Sequence, residues 1–319
     1  MSIIEKAASR IDQQRQAAAP ASASAGQAER DAIDAVGDHA APVTTGHDLA
    51  ALPVTAQATV PTAEAPLQAA PAAAPRSGPR RVQLDLARMR EQGMVTAAGG
   101  RTNLLEEFRV IKRPLLKRAF AERVPGKNPG NLIMITSSLP GEGKTYSSIN
   151  LAMSIAMELD HTVLLVDADV ARPSVMRTLG LPAQRGLMDI LVDDSLDFSD
   201  VLLRTNVDTL AILPAGTSTP HATELLASSA MTALVNELAN RYPDRVIIFD
   251  SPPLLLTSES RELASHMGQI VVVVEAQTTT QHAVKEALQR LEGFDNVNLV
   301  YNKTRDLPGI EETYDYHYG

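Results

Sequence analysis

Gly143, Lys144 and Thr145 close the run Ser137-Ser-Leu-Pro-Gly-Glu-Gly-Lys-Thr145. Glycine, lysine and a hydroxyl in that order end the phosphate-loop pattern Gly-x-x-x-x-Gly-Lys-Ser/Thr. The first glycine of that pattern is Ser138 here. Glycines let backbone N–H groups wrap phosphate oxygens, and a helix that follows adds positive potential at its N-terminus. Lys144 is then placed to reach the β- and γ-phosphates, and the Thr145 hydroxyl to ligate Mg²⁺. The expected nucleotide contacts are Ser138, Pro140, Gly141, Glu142, Gly143, Lys144, Thr145 and Tyr146. A bare Gly-Lys-Thr also occurs in ordinary strand-to-helix turns, so its surroundings decide the matter.

Two acidic motifs supply those surroundings. Val163-Leu-Leu-Val-Asp167-Ala-Asp169 is an apolar run ending in two carboxylates, one helix after the loop. Val246-Ile-Ile-Phe-Asp250 is a second such run. Carboxylates at the carboxyl ends of parallel strands lie in the crevice where open α/β sheets bind ligands. Asp250 suits a metal-holding role with Thr145, while Asp167 and Asp169 are placed to complete the metal shell and orient an attacking hydroxyl. Lys144, Asp167 and Asp169 are the expected catalytic groups. Any one of these aspartates alone also reads as a turn residue ending a strand.

The elements that must position these residues are legible as alternating patterns. Short apolar runs at 132–136, 162–166, 209–213, 246–249, 270–274 and 297–301 read as strands. Helical spacing follows at 104–120, with Pro114 as a boundary or kink, and at 145–159, 222–240 and 280–291. Near-continuous Val/Ile/Leu strands between helices predict an α/β fold, a mostly parallel sheet covered by helices on both faces. Together with the loop this is a P-loop NTPase. A dinucleotide enzyme is disfavoured, because no Gly-x-Gly-x-x-Gly follows a strand.

The first hundred residues differ. No aromatic residue precedes Phe108, and Ala, Pro, Ser, Thr and Gln dominate from Ala17 to Arg80. Such a segment buries too little apolar surface to offset chain entropy. The expected organisation is a short amphipathic helix at 1–17, a disordered linker at 18–101 with a short helix at 82–92, a catalytic domain at 102–305 and a tyrosine-bearing tail at 306–319. The terminal helix reads equally as a docking element or a frayed end.

Across its 319 residues the chain has a net charge of −9 and no cysteine, which disfavours nucleic acid as a partner and excludes disulfides and thiol catalysis. No stretch approaches the roughly 20 apolar residues of a membrane span, and no secretory signal begins the chain, so a cytoplasmic protein is expected.

On these motifs the chain resembles the bacterial tyrosine kinases of exopolysaccharide synthesis, from about Glu106 to the C-terminus. That group shares the MinD/ParA-like type of P-loop fold. Residues 163–169 resemble its second acidic motif, while Gly186-Leu-Met-Asp-Ile-Leu191, Leu213-Pro-Ala-Gly216 and Glu224-Leu-Leu226 resemble segments between the motifs. Glu106, Arg109 and Lys112 resemble its Glu-x-x-Arg-x-x-Arg oligomerisation helix, with Lys in the last place. The opening Ser2-Ile-Ile-Glu-Lys-Ala7 resembles the exosortase-associated subgroup of tyrosine autokinases. The resemblance implies ATP and Mg²⁺ as cofactors and autophosphorylation of Tyr314, Tyr316 and Tyr318. It also implies a ring-like homo-oligomer at the inner face of the cell membrane, a separate membrane activator of the polysaccharide co-polymerase type, and a tyrosine phosphatase. Asn302 resembles a base-contacting position and reads equally as a turn residue. Ala171 replaces the arginine of the family's Asp-x-Asp-x-Arg, with Arg172 next, and Ser258 replaces an aspartate after the last motif.

Two other functions fit parts of the pattern. A positioning ATPase of the chromosome-partitioning or division-site type carries an extra lysine early in its loop, where this chain has Leu139, and lacks the tyrosine tail. A noncatalytic nucleotide-binding scaffold would account for Ala171 and Ser258.

Overall fold

The computed structural model describes residues 80–304 apart from 98, 99 and 101. The terminal helix at 1–17, the linker before residue 80 and the tail at 306–319 with Tyr314, Tyr316 and Tyr318 lie outside the described residues. The elements in chain order are β1 (Arg80–Arg81), α1 (Leu86–Glu91), α2 (Asn103–Ala119), β2 (Leu132–Ser137), α3 (Lys144–Ala156), β3 (Thr162–Asp167), α4 (Val175–Thr178), α5 (Leu187–Val192), α6 (Phe198–Val201), β4 (Leu203–Arg204), β5 (Leu210–Leu213), α7 (Ala222–Leu226), α8 (Ser229–Arg241), β6 (Arg245–Asp250), α9 (Glu259–Ser265), β7 (Gln269–Glu275), α10 (Gln281–Arg290) and β8 (Val297–Asn302).

The strands form one eight-stranded sheet in the order β1-β4-β5-β3-β6-β2-β7-β8. Every pairing is parallel except β4 with β5. The central strands are buried on both faces, which is why they read as continuous apolar runs. Alternate residues serve opposite layers. Leu132, Met134, Leu164, Val166, Ile247 and Phe249 pack with α5, α7 and α8. Ile133, Ile135, Val163, Leu165, Val246 and Ile248 pack with α1, α2 and α3.

One boundary departs from the sequence reading. The expected helix at 222–240 is two helices, because Ser228 ends the first and caps the second by accepting a hydrogen bond from Met231 N at 3.1 Å. Pro114, by contrast, lies inside α2 without ending it, and its side is exposed. The larger departure is at the start of the domain. Residues 80–95, expected to be linker with a short helix at 82–92, do contain that helix as α1 but are packed into the domain. Arg80 and Arg81 pair with β4, and Leu84, Met89, Met94 and Val95 are buried in the layer that holds α2 and α3. Each such side chain stabilises by roughly 1.5–3 kcal/mol when fully buried, enough to hold a short segment down. Asn206 clamps Leu84 by accepting from its N–H at 2.8 Å and donating to its carbonyl at 3.1 Å. The Val95 N–H reaches Asn150 Oδ1 at 2.6 Å.

Candidate functional site

β2 runs into the loop 138–143, and the loop turns into α3 at Gly143, whose φ of +97° only glycine adopts readily. A Cβ there would lie 2.0 Å from Asn302 Nδ2, so close approach requires glycine as well. The N-cap carries no side-chain cap, which leaves the first N–H groups of α3 facing the cleft. Glu142 braces the loop from inside. It is 2% exposed, accepts from Leu139 N at 2.6 Å, and its other oxygen accepts from Thr279 Oγ1.

β3 and β6 place the acids. The two strands pair in parallel with Asp167 directly opposite Asp250. Lys144 Nζ lies 2.6 Å from Asp169 Oδ2. Thr145 Oγ1 donates to Asp250 Oδ2 at 2.7 Å, and Ser148 Oγ lies 3.0 Å from Asp250 Oδ1. Asp167 Oδ2 accepts from Ser174 N and Val175 N at 3.0 and 2.9 Å. Its Oδ1 is buried and has no hydrogen-bond partner. The sequence-selected Lys144, Thr145, Asp167, Asp169 and Asp250 are thus one cluster at the carboxyl ends of the central strands.

This cluster is short of positive charge. Burial pushes the Asp167 carboxyl up to about 7, with the Asp250 and Asp169 charges adding to it against the Val175 N–H and Lys144. Burial also raises Asp250, against Lys144 and the Thr145 and Ser148 hydroxyls. No set of three or more acidic, histidine or cysteine side chains among the described residues forms a self-contained metal cage. Mg²⁺ does not require one: it takes one or two carboxylates and completes its shell with waters and phosphate oxygens. The orphaned Asp167 Oδ1 and the Thr145–Asp250 pair fit such an ion.

A cleft of about 580 Å³ opens beside the cluster, bordered by Pro140, Lys144, Tyr146, Asp169, Arg172 and Leu256. A larger cavity of about 760 Å³ lies near Arg118, Gly130 and Gln269, at the amino ends of β2 and β7, and contains none of the acids. Asn302 does not face the cleft as a free amide: its Nδ2 donates to the Glu142 carbonyl at 2.8 Å, beside Gly143. From the end of β8, Asn302 thus holds the loop. Lys303 Nζ adds a bond to the Gly141 carbonyl at 2.8 Å. Ser138 is fully buried with its hydroxyl unpartnered, behind the loop. Arg172 is exposed at the cleft edge, and its N–H reaches Asp169 Oδ1 at 3.1 Å.

Sequence reasoning missed Ser148, Ser174, Thr279 and Lys303. Ser148 stood one helical turn after Lys144 and was discoverable from that spacing. The others come from distant loops and left no local signal. Sequence reasoning also misplaced Lys112. Glu106 and Arg109 pair with each other on the surface of α2, but Lys112 is 4% exposed, donates to the Ser154 carbonyl at 2.6 Å and pairs with Glu158 at 2.5 Å. Its charge is committed inside the domain and is not offered to a neighbour.

The AAA domain family model matches residues 130–304, which is the span from β2 to β8 with every loop and acidic residue above. Among solved structures, the VpsO kinase domain is 30% identical, with a TM-score of 0.53 over 63% of this chain and 96% of that one. The tyrosine-protein kinase YwqD of Bacillus subtilis is 33% identical over 154 residues, 48% of this chain and 63% of YwqD. The tyrosine-protein kinase CpsD of Streptococcus agalactiae is 29% identical over 178 residues, 55% of this chain and 76% of CpsD. The chain belongs to the bacterial tyrosine kinases. In this kinase the loop, the strand-end acids and the cleft lie together at the carboxyl ends of the central strands of a P-loop fold. Among the described residues, no helix of the kinase is long and apolar enough to cross a membrane.

Proposed function

We propose that the chain binds Mg-ATP in the cleft and transfers the γ-phosphoryl group to Tyr314, Tyr316 and Tyr318 of a neighbouring copy, and that this controls exopolysaccharide synthesis or export. The observation that carries the reading is the meeting of Lys144, Thr145, Asp167, Asp169 and Asp250 at one end of the cleft. Lys144 and the free N–H groups at the start of α3 bind phosphate oxygens. Thr145, Asp167 and Asp250 hold Mg²⁺, which when bound supplies neutralisation of phosphate charge. Asp167 and Asp169 orient the phenol. The phenol oxygen forms the new bond to phosphorus, the bond to the bridging oxygen of ADP breaks, and the phenolic proton passes to a carboxylate. Positioning and charge neutralisation supply most of the acceleration in such transfers.

Copies assemble, in this reading, through the exposed Glu106 and the half-buried Arg109 on α2, with Lys112 in a supporting role inside the domain. A separate membrane activator and a tyrosine phosphatase complete the system, as the resemblance implies. Each phosphate adds about −1.5 to −2 charge, so several on one tail favour its release from the neighbouring site.

The test is peptide mass spectrometry of the full chain after incubation with Mg-ATP, beside Lys144→Met. Phosphate on Tyr314, Tyr316 or Tyr318 in the unsubstituted chain alone is the expected result. Nucleotide turnover with an unmodified tail, persisting when the activator's cytoplasmic segment is added, would shift the function to a positioning ATPase.

A further inference from the structure

Arg81 and Arg204, at the edge of the sheet opposite β8, gather with Arg245 where guanidiniums outnumber carboxylates. β1 and β4 run parallel with Arg81 directly opposite Arg204. Like charges at opposed positions of a strand pair are destabilising. Neither arginine makes an ion pair among the described residues. Arg245, the first residue of β6, completes the group. Its guanidinium carbon stands 3.8 Å over the Tyr242 ring, which fixes its plane. Its Nη1 is buried and makes no hydrogen bond. Burial holds the Arg245 pKa below its usual value, opposed by Tyr242 and Asp244 and reinforced by the Arg241 and Arg204 charges.

Arg81, Arg204 and Arg245 line one cavity of about 270 Å³, in which Asp208 is the single acidic side chain. Three guanidiniums stand against Asp208 and, beside Arg245, Asp244, which leaves one positive charge without compensation. Arg241 nearby is already paired with Glu237 at 2.8 Å. A phosphate monoester carries about −1.5 to −2 charge at neutral pH, and guanidinium forks bind its oxygens in pairs. The cavity is smaller than the roughly 300–1,000 Å³ of sites for drug-sized ligands, which suits a phosphate group rather than a whole nucleotide.

We propose that Arg81, Arg204 and Arg245 form a receptor for a dianionic phosphate group, distinct from the nucleotide cleft and carried either by free phosphate or by a phosphate ester. A bound anion replaces the Arg81–Arg204 repulsion with two charge-assisted contacts. It therefore staples β1, a strand of two residues whose pairing ends at the Val82 N–H to Arg204 carbonyl bond of 2.8 Å, onto the sheet. The receptor stands independently of the kinase reaction proposed above.

The test uses the full chain with its cleft filled by Mg-ADP. Calorimetric titration with inorganic phosphate and with O-phosphotyrosine is compared with chloride at matched ionic strength. Arg81→Gln and Arg204→Gln remove exposed side chains, and Mg-ADP affinity checks that each variant is folded. The expected result is phosphate binding that each substitution weakens by about tenfold or more. Without phosphate, Arg204→Gln should be at least as resistant to urea as the unsubstituted chain, because a repulsion has gone. Equal affinity for both probes would identify free phosphate as sufficient, and preference for O-phosphotyrosine would identify an ester. Binding that survives both substitutions, or that chloride reproduces, would overturn the receptor.

Discussion

Lys144→Met removes the ammonium that lies 2.6 Å from Asp169 and near the fully buried Asp250. Phosphoryl transfer should fall to background in a tail-phosphorylation assay. Stability should fall too, because removing one partner of a buried ion pair costs about 3–5 kcal/mol. Urea denaturation of the metal-free chain at pH 8 should show that loss, and at pH 5 it should be smaller, since the orphaned carboxylates can take up protons. Asp167 has its own pH signature. Its folded pKa, raised to about 7 mainly by burial, exceeds that of an unfolded carboxylate near 4. The stabilising contribution of its proton is complete below about pH 4 and is lost as pH rises through about 7. Asp167→Asn should flatten the fall in metal-free stability across that window, measured by denaturation midpoints. Gly143→Ala tests the loop, where an added Cβ meets Asn302 at 2.0 Å and φ is +97°. Nucleotide affinity should drop sharply in a fluorescence titration. Adding Asn302→Ala should recover only part of it, since about 1–3 kcal/mol of backbone strain remains.

At the scale of elements, the segment 80–95 behaves as part of the domain. Two truncations separate it from what precedes it. A chain starting at residue 80 should match the full chain in urea resistance. One starting at residue 100 uncovers the layer that Leu84, Met89, Met94 and Val95 occupy and should lose several kcal/mol or fail to fold. The same segment touches α3. Tyr146 donates to the Gly93 carbonyl at 2.5 Å, and the buried Asn150 accepts from Val95 N. Asn150→Ala should cost about 1–3 kcal/mol in equilibrium unfolding, because a buried N–H loses its acceptor. Composition misled the reading of this segment. Its apolar residues are few and short-ranged in pattern, and their value comes from partners more than fifty residues away, such as Asn150 and Asn206.

For the whole molecule, the ends of β3 and β6 hold an excess of buried acid over base, and the proposed function has a bound cation offset it. Mg²⁺ with ADP should raise the thermal midpoint, and by more at pH 8 than at pH 5, because the carboxylates are ionised and available at the higher pH. Chelation with excess EDTA should abolish the gain. A scanning calorimeter distinguishes this from plain nucleotide binding by omitting the metal.

The sequence by itself determined which residues meet at the candidate site and the sheet that carries them. Phosphate binding needs Gly143, Lys144 and Thr145 adjacent in the chain, and Asp167, Asp169 and Asp250 each end an apolar strand, so both signals are local. Strands buried on two faces are continuous apolar runs, and that too is visible residue by residue. Only the tertiary structure decided what depends on packing between distant segments. It turned Lys112 inward to Ser154 and Glu158, set Asn302 against the loop, and drew residues 80–95 into the core. It also placed Arg81, Arg204 and Arg245, which are scattered along the chain, around one cavity. Their sequence spacing carries no period, because the sheet order that unites them is fixed by burial across the whole domain.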